Sequence, residues 1–165
     1  MAAKKRTASE EAQKQHISIK NIHPLTENQR KVFEAYEDGN NLVLSGSAGS
    51  GKSLVAAQVA LDMLFRRSVE RIILTRPAVT SGEDIGFLPG SKEDKLAPYT
   101  AAIYDNMYRL YHKDKIDTYI NEGKIEVIPL AYMRGRNFSN ALVIVDEAQN
   151  MTEGQLELVL SRLCQ

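Results

Sequence analysis

Cysteine is nearly absent from this chain: Cys164, next to the last residue, is the only one. A lone cysteine can form neither an internal disulfide nor a thiolate metal cluster, which fits a reducing compartment. There is no excess of charge, with 21 Lys and Arg against 21 Asp and Glu. That balance gives no argument for a nucleic-acid coat or a membrane surface, although it leaves room for a local basic patch. No apolar run approaches the roughly 18 residues of a membrane span. Met1–Lys20 also lacks the apolar stretch of a secretory leader. These absences predict a cytoplasmic protein that makes no membrane contact. Internal repeats and low-complexity segments are missing too. Asn150-Met151-Thr152 matches a glycosylation sequon, a chance match in such a chain.

What remains is ordinary globular material. The chain has 165 residues, 43% hydrophobic and 25% charged. That is enough for one domain, able to bury roughly two-thirds of its unfolded surface. Residues 1–20 are polar, with Lys4, Lys5 and Arg6 near the start, and predict a flexible arm. Such an arm either solubilises the chain or touches a polyanion. Residues 21–165 are expected to form the domain.

Thr26 and Gln29 fit a helix capping box, with Val32, Phe33 and Tyr36 as the apolar face and Gly39 as the stop. Leu42-Val43-Leu44 reads as a short buried strand. Ser53–Phe65 is apolar almost all round, as a helix packed closely on a sheet would be. Arg71–Thr75 predicts a second strand, ended by Pro77. Residues 80–98 carry three glycines and two prolines and predict a long structured loop. A helix is predicted from Pro98, with Tyr99, Ile103, Met107 and Leu110 at helical spacing. Its tyrosines serve either the core or base stacking. A short helix ending near Gly123 follows, then strands at Lys124–Leu130 and Ala141–Val145. A last helix spans Glu153–Leu163, with Leu156, Val159, Leu160 and Leu163 on one side. Strands alternating with helices predict an α/β fold: a mostly parallel sheet with helices on both faces, a three-layer sandwich.

Gly46-Ser47-Ala48-Gly49-Ser50-Gly51-Lys52-Ser53 fits the pattern of a phosphate-binding loop in full, between a strand and a helix. Its glycines let the backbone turn tightly and aim N–H groups at phosphate oxygens, and the helix N-terminus adds partial positive charge. Lys52 is placed to reach the β- and γ-phosphates, and Ser53 to ligate magnesium. Asp146-Glu147 directly follows an apolar strand. Asp146 is the candidate magnesium ligand, and Glu147 the candidate group that orients the attacking water. An acidic helix N-terminus is the competing reading of this pair. ATP and Mg2+ are the expected ligands. A base beside the metal ligand suits water as acceptor, and so hydrolysis.

Several segments together resemble the PhoH family, phosphate-starvation-inducible-type ATPases related to superfamily 1 helicase cores. These are Thr75-Arg76-Pro77-Ala78, which is similar to helicase motif Ia, and Gly82–Gly90. Met133-Arg134-Gly135-Arg136 is a third, and Asp146–Asn150 with Thr152 and Gln155 a fourth. The resemblance covers about residues 20–165 and implies a RecA- or helicase-like core. It implies that Gln29 reads adenine, with the capping box as its competing role. Thr75 and Arg76 would touch the backbone of RNA or single-stranded DNA. Arg134 and Arg136 would bind RNA phosphates or a neighbouring subunit's nucleotide, or else form a solvated pair. Gln149 would couple the γ-phosphate to the strand-binding surface.

Asn137 stands where the family usually has threonine, and Ser53 replaces a commoner threonine. The family domain continues past the helix after motif II. Its next strand lies between the phosphate-loop strand and the motif II strand and carries a γ-phosphate sensor. The resemblance therefore implies a sheet short of one central strand, two unpaired edges, and no arginine finger from further along. Unwinding by one such domain would need a homo-oligomer, a ring in which subunits complete each other's sites. The alternative readings are a nucleotide-binding module without turnover, or a fragment that needs a partner.

Overall fold

The computed structural model describes residues 24–77 and 92–163. The N-terminal arm, the 82–90 segment and Cys164 lie outside the described residues. The order of regular elements is α1 (Glu27–Glu37), α2 (Lys52–Phe65), β1 (Arg71–Thr75), α3 (Lys92–Leu110), α4 (Lys113–Asn121), β2 (Ile125–Val127), β3 (Ala141–Val145) and α5 (Glu153–Leu163). Short 3-10 turns fall at Leu130–Tyr132 and Ala148–Asn150.

The three strands form one parallel sheet in the order β2-β1-β3. β1 is central, its Ile72 opposite Ile125 on one side and Leu142 on the other. Parallel connections need crossovers: α3 and α4 lie between β1 and β2, while a 3-10 turn and loop carry the chain from β2 to β3. β1 is buried except at Arg71, as a continuous Ile72-Ile73-Leu74 run requires.

Two hydrophobic clusters occupy the two faces of the sheet. Ile72, Leu74 and Ile125 face α2, α3 and α4, meeting Ala57, Ala60, Leu61, Leu64, Ile103, Met107, Leu110 and Ile116. Ile73 points the other way, into Ile128, Leu130, Met133, Phe138 and Val159 of α5. This alternation along one strand is what a three-layer α/β sandwich demands. The small residues of α2 let it lie close on the sheet, and seven of its 14 residues are buried.

The Thr26 cap and the Gly39 stop of α1 follow the expectation, but the Gln29 side chain accepts from the Leu25 N–H instead of closing a capping box on Thr26. Thr26 Oγ1 accepts from the Gln29 N–H at 3.2 Å. At the other end Gly39, at φ 77°, is in the left-handed region. The Asn40 N–H donates to Ala35 O at 3.3 Å and the Gly39 N–H to Tyr36 O at 2.9 Å, a paired closure of the last turn. Val32, Phe33 and Tyr36 are half-buried.

Several elements differ from expectation. Leu42-Val43-Leu44 is not a strand: Val43 is 96% exposed and Leu42 37%. A short apolar run becomes a strand only if a neighbour takes its N–H and C=O groups, and no described strand pairs with it. β3 shows the same shortage, since it pairs only with β1 and all five of its residues are only half-buried. α3 begins at Lys92, before Pro98. β2 stops at Val127, and Leu130 enters the core from a 3-10 turn after Pro129 instead. On α5 only Val159 is buried, while Leu156 and Leu160 are 48% and 51% exposed.

Candidate functional site

The phosphate-loop sequence folds into a tight turn capped by a helix. Gly49 and Gly51 both adopt left-handed backbone, at φ 74° and 83°. Gly51 is the N-cap of α2, so Lys52 and Ser53 open the helix with their N–H groups unspent. A Cβ on Gly51 would be strained by the left-handed backbone and would sit 3.2 Å from Gln29 Nε2, which would have to shift. Lys52 Nζ donates to the carbonyls of Gly46 and Ser47 at 2.9 and 2.8 Å. Its charge is thus held against the backbone of the loop. Ser47, Ala48 and Ser50 are exposed.

The second half of the site reaches the first through one hydrogen bond. Ser53 Oγ donates to Asp146 Oδ1 at 3.2 Å, joining residues 93 positions apart. Asp146 is fixed because its N–H continues the sheet ladder, donating to Thr75 O at 2.9 Å. A hydroxyl and a carboxylate side by side are the hard-oxygen donors that magnesium prefers, the rest of its shell coming from water and phosphate. Among the described residues no three His, Cys, Asp or Glu side chains gather into a metal cage. The donor set therefore fits magnesium held partly by the nucleotide rather than a metal caged by protein.

Glu147 leaves β3 in left-handed backbone, at φ 53° and ψ 38°. For a residue with a Cβ this costs about 1–2 kcal/mol, and such strain gathers at functional sites. The turn throws its carboxylate sideways. Oε1 lies 3.7 Å from Arg76 Nη2, and Oε2 accepts from Gln149 Nε2. Gln149 therefore touches the candidate base directly.

The remaining expected residues divide. The Gln29 amide is occupied within the protein: its oxygen accepts from the Leu25 N–H at 2.7 Å and its nitrogen donates to Ser50 O at 3.0 Å. It ties α1 to the phosphate loop while Thr26 caps the helix. Thr75 is fully buried, where β1 lies between the two hydrophobic clusters that cover both faces of the sheet. Arg76, one residue on, is half-buried. Arg136 does not stand free, because its Nη1 lies 3.1 Å from Glu126 Oε2. Arg134 is exposed and makes no ion pair among the described residues. Thr152 and Gln155 are a reciprocal capping box for α5, with bonds of 2.9 and 3.3 Å. Sequence reasoning missed the Arg76–Glu147 pair, which only the adjacency of β1 and β3 creates.

A parallel sheet flanked by helices, with a glycine-rich loop opening a helix at its edge, defines the core of a P-loop NTPase fold. Comparison with known proteins makes the family specific. The profile of the PhoH family, described as PhoH-like protein, matches residues 21–165, and the chain belongs to that family. A PhoH-like protein of Synechocystis is 47% identical over 142 residues, 86% of this chain and 43% of the relative. A PhoH-like protein of Bacillus subtilis is 41% identical over 144 residues, 87% of this chain and 45% of its own. Protein PhoH of Escherichia coli K12 is 42% identical over 139 residues, 83% of this chain and 39% of the relative. The chain thus spans about two-fifths of the length of these relatives. No described helix is long and apolar enough to cross a membrane.

Proposed function

We propose that this chain binds ATP with magnesium at Gly46–Ser53 and hydrolyses it, with a single-stranded nucleic acid as the coupled partner. The observation that carries the reading is the 3.2 Å contact between Ser53 Oγ and Asp146 Oδ1. It joins the two halves of the sequence pattern beside the N-terminus of a 14-residue helix. The loop amides and the helix N-terminus favour anionic phosphate oxygens. Lys52 supplies charge from within the loop by moving from the carbonyls of Gly46 and Ser47 to phosphate. Ser53 and Asp146 would hold the metal, which would neutralise charge on the transferred phosphoryl group. Glu147 orients water and takes its proton, once its carboxylate is free of Arg76 and Gln149.

Half-buried Arg76 favours the nucleic-acid part of the reading, as it directly follows β1 at the carboxyl end of the sheet. The test is steady-state ATP turnover by the chain, with and without single-stranded RNA, beside Glu147→Gln. Turnover that drops by about a hundredfold or more in the variant supports a working ATPase. Equal turnover in both, or none from folded wild type, refutes hydrolysis at this site.

A further inference from the structure

Three features meet at the carboxyl end of the sheet. The carboxylate of Glu147 is held on both oxygens, Oε1 by the Arg76 charge at 3.7 Å and Oε2 by Gln149. Arg76 is poorly served in return: its one charged partner is 3.7 Å away, and its enclosed Nε has no hydrogen-bond partner among the described residues. Both side chains keep some solvent access, 27% for Arg76 and 37% for Glu147. A long, half-exposed ion pair of this kind is easily exchanged. A phosphodiester oxygen pair matches the guanidinium fork better than one distant carboxylate oxygen does.

β1 and β3 lie side by side and run parallel. Arg76 directly follows β1 and Glu147 lies just past β3, so the latched pair leaves the carboxyl end of the sheet. Asp146 faces Ser53 of the phosphate loop, while the next residue faces Arg76. One dipeptide therefore links the nucleotide site to a basic position outside it.

We infer that Arg76 is a positioning residue that latches Glu147, and that phosphodiester groups of a single strand compete with Glu147 for it and so free the carboxylate. This rests on the ATP-hydrolysing reading above and adds how that site is regulated. Coupling of this kind is reciprocal: whatever weakens the latch must strengthen the strand's hold on Arg76.

The first test therefore needs no turnover. Binding of a fluorescent single-stranded oligouridylate, with oligothymidylate as the DNA arm, is measured by anisotropy without nucleotide. Wild type, Glu147→Gln, Arg76→Gln and the double variant are compared. Glu147→Gln is expected to bind about two- to fivefold more tightly, the scale of a half-exposed ion pair. Arg76→Gln binds more weakly, and in its background Glu147→Gln has no further effect. Arg76→Lys, which keeps the charge, keeps part of the binding. In turnover, Arg76→Gln raises the basal kcat, leaves KM for ATP near wild type, and no longer responds to the strand. Equal tightening by Glu147→Gln with and without Arg76 means a general charge effect and overturns the latch. So does a strand response that survives in Arg76→Gln. Wild type that turns over ATP but binds neither strand refutes the nucleic-acid partner, and the latch with it. Wild type with the expected binding cycle but no turnover leaves the latch standing and removes hydrolysis alone.

Discussion

Alanine at Gly51 strikes the phosphate loop where backbone and space are both tightest. The residue sits at φ 83°, where a Cβ costs about 1–2 kcal/mol. The new methyl would meet Gln29 Nε2 at 3.2 Å. That atom ends a flexible side chain, so it gives way, at the expense of its 3.0 Å hydrogen bond to Ser50 O. A bond like that contributes about 0.5–1.5 kcal/mol. The two effects together amount to about 1.5–3.5 kcal/mol. In a chain this size that lowers the melting temperature by roughly 3–14 °C. Gly154 is the control: it lies in α5, its φ is not in the left-handed region, and nothing is within 4 Å of its Cβ position. Gly154→Ala should hold or raise the melting temperature, since alanine favours a helix over glycine by about 0.5–1 kcal/mol. Thermal unfolding by circular dichroism, with ATP titration alongside, reads both. A Gly51→Ala protein that melts with wild type and binds ATP equally well refutes this account of the loop.

Two further outcomes follow from the packing. Val43→Lys should change folding free energy by less than about 0.5 kcal/mol, because the side chain is 96% exposed. The same change should reduce self-association in light scattering by breaking an apolar patch beside unpaired backbone. A loss above about 2 kcal/mol would mean that residues 42–44 are a buried strand after all. Tyr108 is pushed up to about 12 by burial, and then by its hydrogen bond to Asp117 and that carboxylate's charge. Its ordinary value is 10.0, so the unfolded chain loses this proton first as pH rises. The stabilisation is full below pH 10 and is lost between 10 and about 12. Burial raises Tyr36, Tyr104 and Tyr111 as well, so ultraviolet titration should show several late tyrosines, one of which Tyr108→Phe removes. Urea unfolding of that variant should lose less stability across the same interval.

Local chemistry made much of this molecule legible in advance. The Thr26 cap, the Gly39 stop and the apolar α2 all depend on residues close in sequence, and all appear as expected. β1 was readable because three consecutive buried aliphatics suit a strand covered on both faces. Leu42-Val43-Leu44 has the same composition but no described neighbour to pair with, and strand formation depends on that neighbour. In the site, the Ser53–Asp146 contact was implied by two motifs expected to meet at one ligand. Thr75 is buried because both faces of β1 are covered, while Arg76, one residue past the strand, lies at the rim. Thr152 and Gln155 carry a family-typical spacing, yet their bonds cap a helix. The latch on Glu147 joins ends of two strands 71 positions apart and leaves no local trace in sequence.

Calorimetric titration of ATP into the folded chain, in magnesium and again in chelator, bears most directly on the site. Wild type should bind in magnesium and bind more weakly in chelator, while Ser53→Ala and Asp146→Asn each lose that difference. Binding that ignores magnesium in wild type, or no binding at all, would contradict a nucleotide site built from Gly46–Ser53 and Asp146.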